Sequence, residues 1–406
     1  MAPPFAGHLD RLVPLMHAAQ GAGHAVRTLT GHARLPFLRA HGIEAAAPPS
    51  LAPGALERIA EGFGRITGRP HAAWAQLRAN LALIPGLTDD LATEFRRWQA
   101  DVLVADSVAL MAGPAAARTG AAWITTIASP LSLDARTGTP GYMGGWTPPR
   151  GPLGRARDAA GRSGHRALRE AVFVANRRRL PPEIARPFRA DGTESIYSPQ
   201  SILGFGMTEL EFPRAWPSAF EMIGPLAAAP PLDPPLALPR ARRRVVATMG
   251  THLPWARARW RAGLARLAAA RPEWLIVASE GRMTGDAASA DGPPNLLSVP
   301  RLCYVRDLPR FDAVIHHGGT GIAYAAVAAG RPSLVVPRDF DQFDMAARVA
   351  WHGLGLRARS LRGAAERLDR LLDGDWPAVA RIQEAAARYD PCARFLAALA
   401  RVTAPA

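Results

Sequence analysis

The sequence of 406 residues contains no lysine, so all 49 of its Lys/Arg positions are arginine. It has only two cysteines, Cys303 and Cys392, too few for a disulfide framework or a cysteine-rich metal centre and typical of a reducing compartment. No apolar run approaches the roughly 20 residues that a membrane-spanning helix needs. The opening Met1–Phe5 has neither the basic segment nor the long apolar stretch of a secretory signal. We therefore expect a cytoplasmic protein.

The absence of lysine changes the meaning of the net charge of +15. Abundant Ala, Gly, Pro and Arg together indicate a GC-rich genome that uses Arg where others use Lys. A nucleic-acid-binding protein would gather its basic residues on one element, among aromatic residues. Here the clusters 177–179 and 242–244 are short and far apart. The charge thus predicts no nucleic-acid partner, and it leaves peripheral contact with an anionic membrane surface open.

Short apolar runs alternate with amphipathic helical stretches, a pattern typical of a parallel α/β protein. The proline-dense segment 224–240 divides the chain and is predicted to be an extended linker. We predict an N-terminal domain over 1–223 and a C-terminal domain over 241–406, whose last helix can pack back on the first domain. Strands are predicted at 25–30, 101–106, 122–127, 244–249, 274–279, 313–317 and 333–336. Both sheets would face a common cleft, where open α/β sheets bind ligands.

The most informative segment runs from a buried strand through His317-Gly-Gly-Thr-Gly321 into a helix that ends near Gly330. Glycines at such a turn let backbone N–H groups approach an anion closely, and the helix N-terminus adds unsatisfied donors. His317 can donate to the same anion. The pattern predicts a diphosphate-binding turn that lacks the lysine and spacing of a Walker loop. The alternative is a tight turn whose glycines serve packing only.

A second polar segment, Asp339-Phe-Asp-Gln342, follows the next strand and so lies on the same edge of the sheet. The carboxylate of Asp341 beside the amide of Gln342 suits the vicinal hydroxyls of a sugar. The segment also spells a D-x-D metal motif, a match that we regard as accidental because no further oxygen ligands can be placed. Alternatively, Asp341 simply caps the following helix.

Taken in order, these motifs resemble the donor signature of family 1 glycosyltransferases of the GT-B fold, in particular bacterial enzymes that glycosylate natural products and carotenoids. The segments that carry the resemblance are PFAGHLDRLVPL, ELEFPRAWPSAFEMIGPL, VVATMGTH, HHGGTG, AAGRP and VVPRDFDQFDMAARVAWHGLGL. The resemblance implies two Rossmann-like domains and inverting transfer of a hexose from a UDP- or dTDP-sugar to a hydroxyl of a small lipophilic acceptor. It further implies a reaction without metal or bound cofactor, by a monomer or homodimer.

The resemblance also implies roles for individual residues. The diphosphate would be held by His317, Gly319, Thr320 and Gly321, with Gly250 and Thr251 closing over it. Tyr304 would contact the base, and Asp341 and Gln342 would bind sugar hydroxyls. Two positions depart from the family: Ile322 stands where Ser or Thr usually contacts phosphate, and Met345 stands where Asn is usual.

In the first domain, Gly7-His8 lies in a loop before a helix. A histidine with a pKa near neutrality can take a proton from an attacking hydroxyl, and the family's equivalent histidine is the general base. Asp106, at the end of the strand DVLVAD, is expected to orient His8 and stabilise its cation. The alternative for Asp106 is a helix cap ahead of Ser107.

The acceptor pocket is expected in the first domain, with apolar candidates Phe63, Trp74, Tyr142, Met143 and Trp146, each of which could instead be an ordinary core residue. Only Met1–Pro4 precede the His8 loop, where the fold calls for a central strand, so we expect the translated start to lie upstream. Two alternatives to a transferase stay open. A nucleotide-sugar epimerase would need further charged residues at the donor site, and a non-catalytic nucleotide-sugar-binding auxiliary protein would lack the base.

Overall fold

The computed structural model describes residues 1–226, 235–251, 253–281 and 292–404. Across these residues the strands form parallel sheets and alternate with helices, so the predicted α/β class is confirmed. The strands are β1 Arg27–Leu29, β2 Glu44–Ala46, β3 Val102–Asp106, β4 Ala122–Ile127, β5 Ser201–Gly204, β6 Phe220–Met222, β7 Arg243–Thr248, β8 Trp274–Ser279, β9 Leu296–Val299, β10 Ala313–His316, β11 Ser333–Val335 and β12 Gly355–Arg357. The helices are α1 Val13–Gly21, α2 Leu35–Ala40, α3 Ala55–Gly62, α4 Pro70–Trp98, α5 Ala112–Thr119, α6 Pro152–Asn176, α7 Arg257–Ala270, α8 Tyr304–Asp307, α9 Thr320–Ala328, α10 Gln342–Trp351, α11 Ala364–Asp373, α12 Pro377–Ala387 and α13 Pro391–Thr403.

The C-terminal half is built on a six-stranded parallel sheet with the order β12-β11-β10-β7-β8-β9. Successive β7 residues pack into different cores: Val245 and Ala247 on one face, Val246 on the other. Burial on both faces explains why this strand has a continuous apolar run rather than an alternating pattern. The strand order reverses between β7 and β10, so the loops after these two strands frame the crevice where such sheets bind ligands.

The N-terminal half has a four-stranded parallel sheet, β3-β4-β5-β6, and a separate pair, β1-β2. The first two residues lie between them. The N-terminal ammonium donates to the Val104 carbonyl (2.6 Å), the Asp106 N–H donates to the Met1 carbonyl (2.9 Å), and the Ala2 N–H donates to the Leu29 carbonyl (3.3 Å). The main chain of Met1 thus positions the end of β3, where Asp106 stands.

The last helix, α13, crosses to the N-terminal half. Its buried Phe395, Ala398 and Leu399 share a hydrophobic core with Leu9 and Leu15 at the start of the chain. Of the predicted linker, residues 227–234 lie outside the described residues, and the domain boundaries stay a prediction. Among the described helices none is both long enough and apolar enough to cross a membrane.

Candidate active site

A cleft of about 860 Å³ lies between the two halves of the molecule. Loops at the carboxyl ends of both sets of strands contribute to its walls. Of the residues predicted for the site, those that line it are His8, Gly250, Thr251, Tyr304, His317, Gly319, Thr320, Gly321, Asp341 and Gln342. The structure therefore brings together residues that are more than 300 positions apart in the sequence.

His8 and Asp106 form a hydrogen-bonded pair at the edge of this cleft. The His8 Nδ1 lies 2.9 Å from Oδ2 and 3.1 Å from Oδ1 of Asp106, whose side chain is fully buried. Burial by itself would lower the pKa of the His8 imidazole, but the charge and hydrogen bond of Asp106 outweigh it, so this pKa is raised above its ordinary value of 6.5. With Nδ1–H donating to Asp106, the Nε2 atom of His8 is the one that can accept a proton.

The helix-cap alternative for Asp106 is wrong, because the N-cap residue of α5 is Met111. The Oδ1 atom of Asp106 instead accepts a hydrogen bond of 3.0 Å from the backbone N–H of Val108. The carboxylate therefore fixes the turn after β3 and the His8 ring at the same time. Asp106 thus has both a structural contact, with the Val108 N–H, and a contact with the imidazole of His8 at the cleft.

Glycines surround the ring of His317 on the opposite wall. A Cβ atom at Gly319 would lie 2.5 Å from the His317 Nε2, and one at Gly250, where φ is +66°, would lie 2.8 Å from its Cε1. These approaches are closer than any side chain permits, so both loops need glycine to hold the ring. The backbone N–H groups at the start of α9 face the same cleft, which gives the anion-binding geometry expected of a helix N-terminus.

The two histidines of this turn are neutral. Burial lowers the pKa of His317 to about 4, with a smaller opposing effect from the Thr248 backbone, and burial lowers that of His316 to about 3. The neutral imidazole of His317 can still donate one N–H to a diphosphate, which stays a prediction, but it adds no positive charge there. His316, which had no assigned role, accepts a hydrogen bond of 3.1 Å from Gly318 N–H and shapes the turn.

Tyr304 stands at the start of α8, beside the same turn. Its hydroxyl is 3.1 Å from Oγ1 of Thr248, at the end of β7. Burial raises the pKa of this phenol above its usual value, so it remains protonated at neutral pH. The hydroxyl is thus tied to the end of β7, and Tyr304 contributes to the cleft lining.

Asp341 reaches toward the catalytic side of the cleft, whereas Gln342 turns back to its own loop. The hydroxyl of Ser129 donates to Asp341, and the pKa of this carboxyl is raised by burial against the opposing influence of Ser129 and of His8. The Gln342 side-chain oxygen accepts from the backbone N–H of Arg338 (2.9 Å) and of Asp339 (3.0 Å). Only the amide NH₂ of Gln342 is therefore available to a ligand.

The two departures from the family pattern both face the core. Ile322 is 3% exposed and packs among the apolar residues beneath α9. Met345 is fully buried against α9 and α12. Met345 lies outside the cleft lining, whereas Ile322 contributes to it but offers no hydroxyl, so Thr320 supplies the hydroxyl at this turn.

Two carboxylates of the 339–344 segment hold loops of the opposite half. Asp339 is fully buried and accepts from the N–H groups of Ile66 (2.9 Å) and Thr67 (2.8 Å). Asp344 accepts from the Tyr142 N–H at 3.1 Å, and burial raises its pKa to about 6. Asp339 is thus occupied by backbone donors. No cluster of three metal-ligating side chains occurs among the described residues.

Arg11 is a functional candidate that the sequence reasoning missed. Its buried guanidinium donates to the carbonyls of Leu226 (3.0 Å), Ala128 (3.2 Å) and Phe205 (3.3 Å) in the N-terminal half, and to the Thr320 hydroxyl (3.4 Å) in the C-terminal half. Burial lowers the pKa of this group to about 10, which still leaves it charged. Arg11 follows the His8 loop directly, so it ties that loop to the start of α9.

We expect Arg11→Met to destabilise the protein by about 3 kcal/mol, because three buried carbonyls lose their donor at once. Urea unfolding followed by circular dichroism measures the change. Arg266→Met on the exposed face of α7 is the matched control and should leave the midpoint unchanged. An Arg11→Met protein as stable as the wild type would show that water satisfies these carbonyls instead.

The apolar wall of the cleft differs from the predicted one. Of the five predicted residues only Tyr142 lines the cleft; Trp146 instead packs beside Gly161 of α6 and under Arg157. Phe63, Trp74 and Met143 likewise lie outside the lining. The wall is mostly aliphatic and comes from α3, α4 and the turn after β3: Leu51, Leu56, Ala60, Leu77, Leu83, Ile84, Leu87, Val108, Leu110 and Met111.

Comparison with known proteins shows relatives along most of the chain. Residues 265–391 match the family model "Erythromycin biosynthesis protein CIII-like, C-terminal domain". The L-demethylnoviosyl transferase of Streptomyces niveus is 30% identical over 369 residues, which cover 87% of this chain and 82% of that protein.

Solved structures show the same fold at lower identity. The glycosyltransferase of kitacinnamycin superposes with a TM-score of 0.74 at 18% identity, covering 99% of this chain and 97% of its own. The glycosyltransferase VinC, in complex with dTDP, superposes with a TM-score of 0.64 at 19% identity and 99% coverage of both chains. These similarities confirm the expected arrangement of two parallel-sheet domains around a cleft.

Proposed function

Because the chain belongs to the glycosyltransferases of bacterial natural-product biosynthesis, we propose that it moves a hexose from a UDP- or dTDP-sugar to a hydroxyl of a small lipophilic acceptor, with inversion at the anomeric carbon. The single observation that carries this proposal is the His8–Asp106 pair facing the α9 turn across one cleft. It sets a proton acceptor on one wall and an anion-binding helix N-terminus on the other. This is the arrangement that a single displacement requires.

In the proposed step, His8 Nε2 takes the proton of the acceptor hydroxyl as its oxygen attacks the anomeric carbon. The bond from that carbon to the diphosphate oxygen breaks, and the electron pair leaves with the nucleoside diphosphate. The imidazolium formed at His8 is stabilised by the Asp106 carboxylate, 2.9 Å away. Attack from the face opposite the leaving group inverts the configuration.

The leaving diphosphate would be bound by the N–H groups of Gly319, Thr320 and Gly321 and by the ring of His317, with Gly250 and Thr251 closing over it. Because His317 is neutral, a fixed positive charge at this turn comes from Arg11, which donates to the Thr320 hydroxyl. Donors arranged in advance around a developing negative charge are an effective source of catalysis. Binding of dTDP by VinC, a protein of the same fold, supports a nucleoside-diphosphate donor.

The proposed acceptor class follows from the aliphatic wall formed by α3 and α4. Such a surface offers burial of apolar area and few polar partners, which favours a lipophilic molecule over a polar one. Asp341, beside Ser129 and close enough to His8 to affect its pKa, is proposed to bind a hydroxyl of the transferred sugar. The ring of Tyr304 is proposed to contact the base, and the amide NH₂ of Gln342 a sugar hydroxyl.

The test is to incubate the protein with a panel of UDP- and dTDP-sugars and lipophilic acceptors, and to measure both nucleoside diphosphate release and the glycosylated product by mass spectrometry. We expect release and product in equal amounts with at least one donor–acceptor pair, and opposite anomeric configurations in donor and product by NMR. Donor binding without release would support the non-catalytic alternative. Conversion of the sugar without transfer would support the epimerase.

A glycine substitution in the α9 turn gives a sharper test of the donor site. Gly319→Ala should weaken nucleoside-diphosphate binding at least about tenfold, equal to 1.4 kcal/mol, because its Cβ would displace the His317 ring. Gly21→Ala at the end of α1 is the control: this glycine is exposed, lies outside the cleft lining, and its Cβ would meet no atom within 4 Å. Isothermal titration calorimetry with UDP and dTDP measures the affinity of each variant for the nucleoside diphosphate. Equal affinity in the two variants would remove His317 from the site.

A further inference from the structure

The long helix α6 is built with its polar side toward the protein and its apolar side toward solvent. Its 25 residues include only two buried ones, Asp158 and Asn176, and both are polar. A surface helix of a globular protein normally buries its apolar stripe instead. This reversal means that the exposed stripe has a purpose other than folding of the chain.

The inward side of α6 is held by polar contacts. Arg166 pairs with Asp134 and Arg169 pairs with Glu194, while Asp158 accepts from the Thr139 hydroxyl at 2.7 Å. Arg166 and Arg169 are thus neutralised by carboxylates of the domain. These ion pairs fasten the inward side of α6 together with Phe173, the apolar residue of the helix that packs against the core.

The outward side is a continuous, mostly uncharged stripe from Leu153 to Ala175, about 33 Å long given the rise of 1.5 Å per residue. Leu153, Leu168 and Val174 are 87%, 62% and 62% exposed, three of the largest exposures of big apolar side chains among the described residues. Between them the exposed positions are Ala156, Ala159, Ala160, Ser163, Gly164, Ala167, Ala171 and Ala175. Small residues at the centre allow another backbone to approach closely.

On the stripe, Arg157 pairs with Asp158 at one edge. The two other charges, Arg155 and Glu170, make no ion pair within the described part of the chain. At 100° per residue they lie along the same edge of the stripe, about four turns apart. When two copies of a helix pack antiparallel about a twofold axis, an edge of the stripe on one copy lies beside the same edge on the other copy. The residues along that edge then run in opposite directions, so a residue before the axis faces one equally far after it. The point midway between Arg155 and Glu170 falls beside Ser163, near the centre of the helix.

We propose that the α6 stripe is the interface of a homodimer, in which two α6 helices pack antiparallel. With the axis at Ser163, Arg155 of each copy faces Glu170 of the other, the leucines are covered, and the small residues lie at the crossing. The arrangement is self-complementary, as an isologous interface must be. A membrane surface would instead favour exposed cations along the stripe, but the α6 arginines are mostly turned inward.

Charge reversal tests this geometry. Sedimentation velocity from about 0.1 to 100 µM covers the affinities expected of modest interfaces. We expect a wild-type dimer that Arg155→Glu and Glu170→Arg each weaken by more than about tenfold, because each creates two like-charge contacts. The double variant Arg155→Glu/Glu170→Arg should return to within about threefold of the wild type. Leu168→Glu should be monomeric, and Arg266→Glu on α7 is the control and should dimerise normally.

A wild type that stays monomeric at the highest concentration would overturn the proposal. So would a dimer that tolerates Leu168→Glu, or a double variant as weak as the single ones. A parallel co-sedimentation uses phosphatidylglycerol vesicles. If wild type binds them and Leu168→Glu does not, while neither dimerises, the occupant of the stripe is lipid and the proposal is wrong. Near-UV circular dichroism of every variant separates loss of the interface from loss of the fold.

Discussion

Replacement of His8 by alanine is expected to lower turnover about 10³-fold while leaving the affinity for nucleoside diphosphate unchanged. The two effects separate because His8 lies on the N-terminal wall of the cleft, whereas the proposed diphosphate site is built from the C-terminal half. Loss of the base leaves the acceptor hydroxyl to attack without a partner for its proton. Initial rates of diphosphate release, with UDP and dTDP titrations alongside, measure both quantities.

His24→Ala serves as the matched control, because His24 is an exposed histidine of the same half and lies outside the cleft lining. Its turnover should equal that of the wild type. If His8→Ala retained more than about a tenth of the wild-type rate, proton abstraction by His8 would contribute less than 1.4 kcal/mol. The proposed role of His8 as the base would then be wrong.

The pH dependence of the wild type follows from the same residue. A base must be neutral to act, so kcat/KM should rise with pH as His8 loses its proton. Because Asp106 raises the pKa of His8, the midpoint of this rise should lie above pH 6.5. Rates between about pH 5 and 9 with saturating donor locate it. A midpoint well below 6.5 would mean that burial, rather than Asp106, governs the imidazole.

Asp106→Asn should reduce turnover by about 10²- to 10³-fold and move the acid limb of the pH profile downward. The amide removes the negative charge that stabilises the imidazolium, and its NH₂ can hold His8 in the wrong tautomer. The amide oxygen can still accept from the Val108 N–H, so the turn after β3 is kept. Stability to urea should therefore change far less than rate. A slower enzyme whose acid limb is unmoved would show that Asp106 acts through the backbone alone.

Much of the fold could be predicted from the sequence because buried parallel strands have an unmistakable pattern. The predicted strands 122–127 and 274–279 coincide with β4 and β8, both almost wholly buried. By contrast, Pro85 would predict a break in the helical pattern, yet α4 continues through it from Pro70 to Trp98. Tertiary packing of Ile84 and Leu87 on either side outweighs the hydrogen bond that proline removes.

The candidate site was predictable where the chemistry lies within a local motif and not where it depends on distant partners. The His317 turn and the Asp106 strand end are visible as short patterns, and the structure brings both to the cleft edge. Arg11 gives no such signal. Its acceptors lie 117 to 309 positions away, so only folding reveals that one guanidinium contacts both halves.

For the α6 helix, a local sequence pattern is visible but predicts the wrong orientation of the helix on the domain. Hydrophobic periodicity detects which residues of a helix share a face, but it assigns the apolar face to the core by default. Here the core-facing side is held by ion pairs with Asp134 and Glu194, so that rule gives the wrong orientation. The signal that was available is the series Arg162, Arg166 and Arg169, spaced by four and three residues on one helix face, together with the carboxylates Asp134 and Glu194 elsewhere in the sequence.

The carboxylates that hold the cleft together bond to main chain. Asp339 binds the N–H groups of Ile66 and Thr67, and Asp344 binds that of Tyr142. Arg357 likewise donates to the Gly144 carbonyl at 3.0 Å. At Ile66 a different side chain would leave this N–H attached, whereas Gly145, with a φ of +84°, needs glycine because a Cβ would clash with the Phe343 carbonyl oxygen. Acceptor selectivity can therefore be engineered at positions such as Ile66 without loss of the attachment to the donor half.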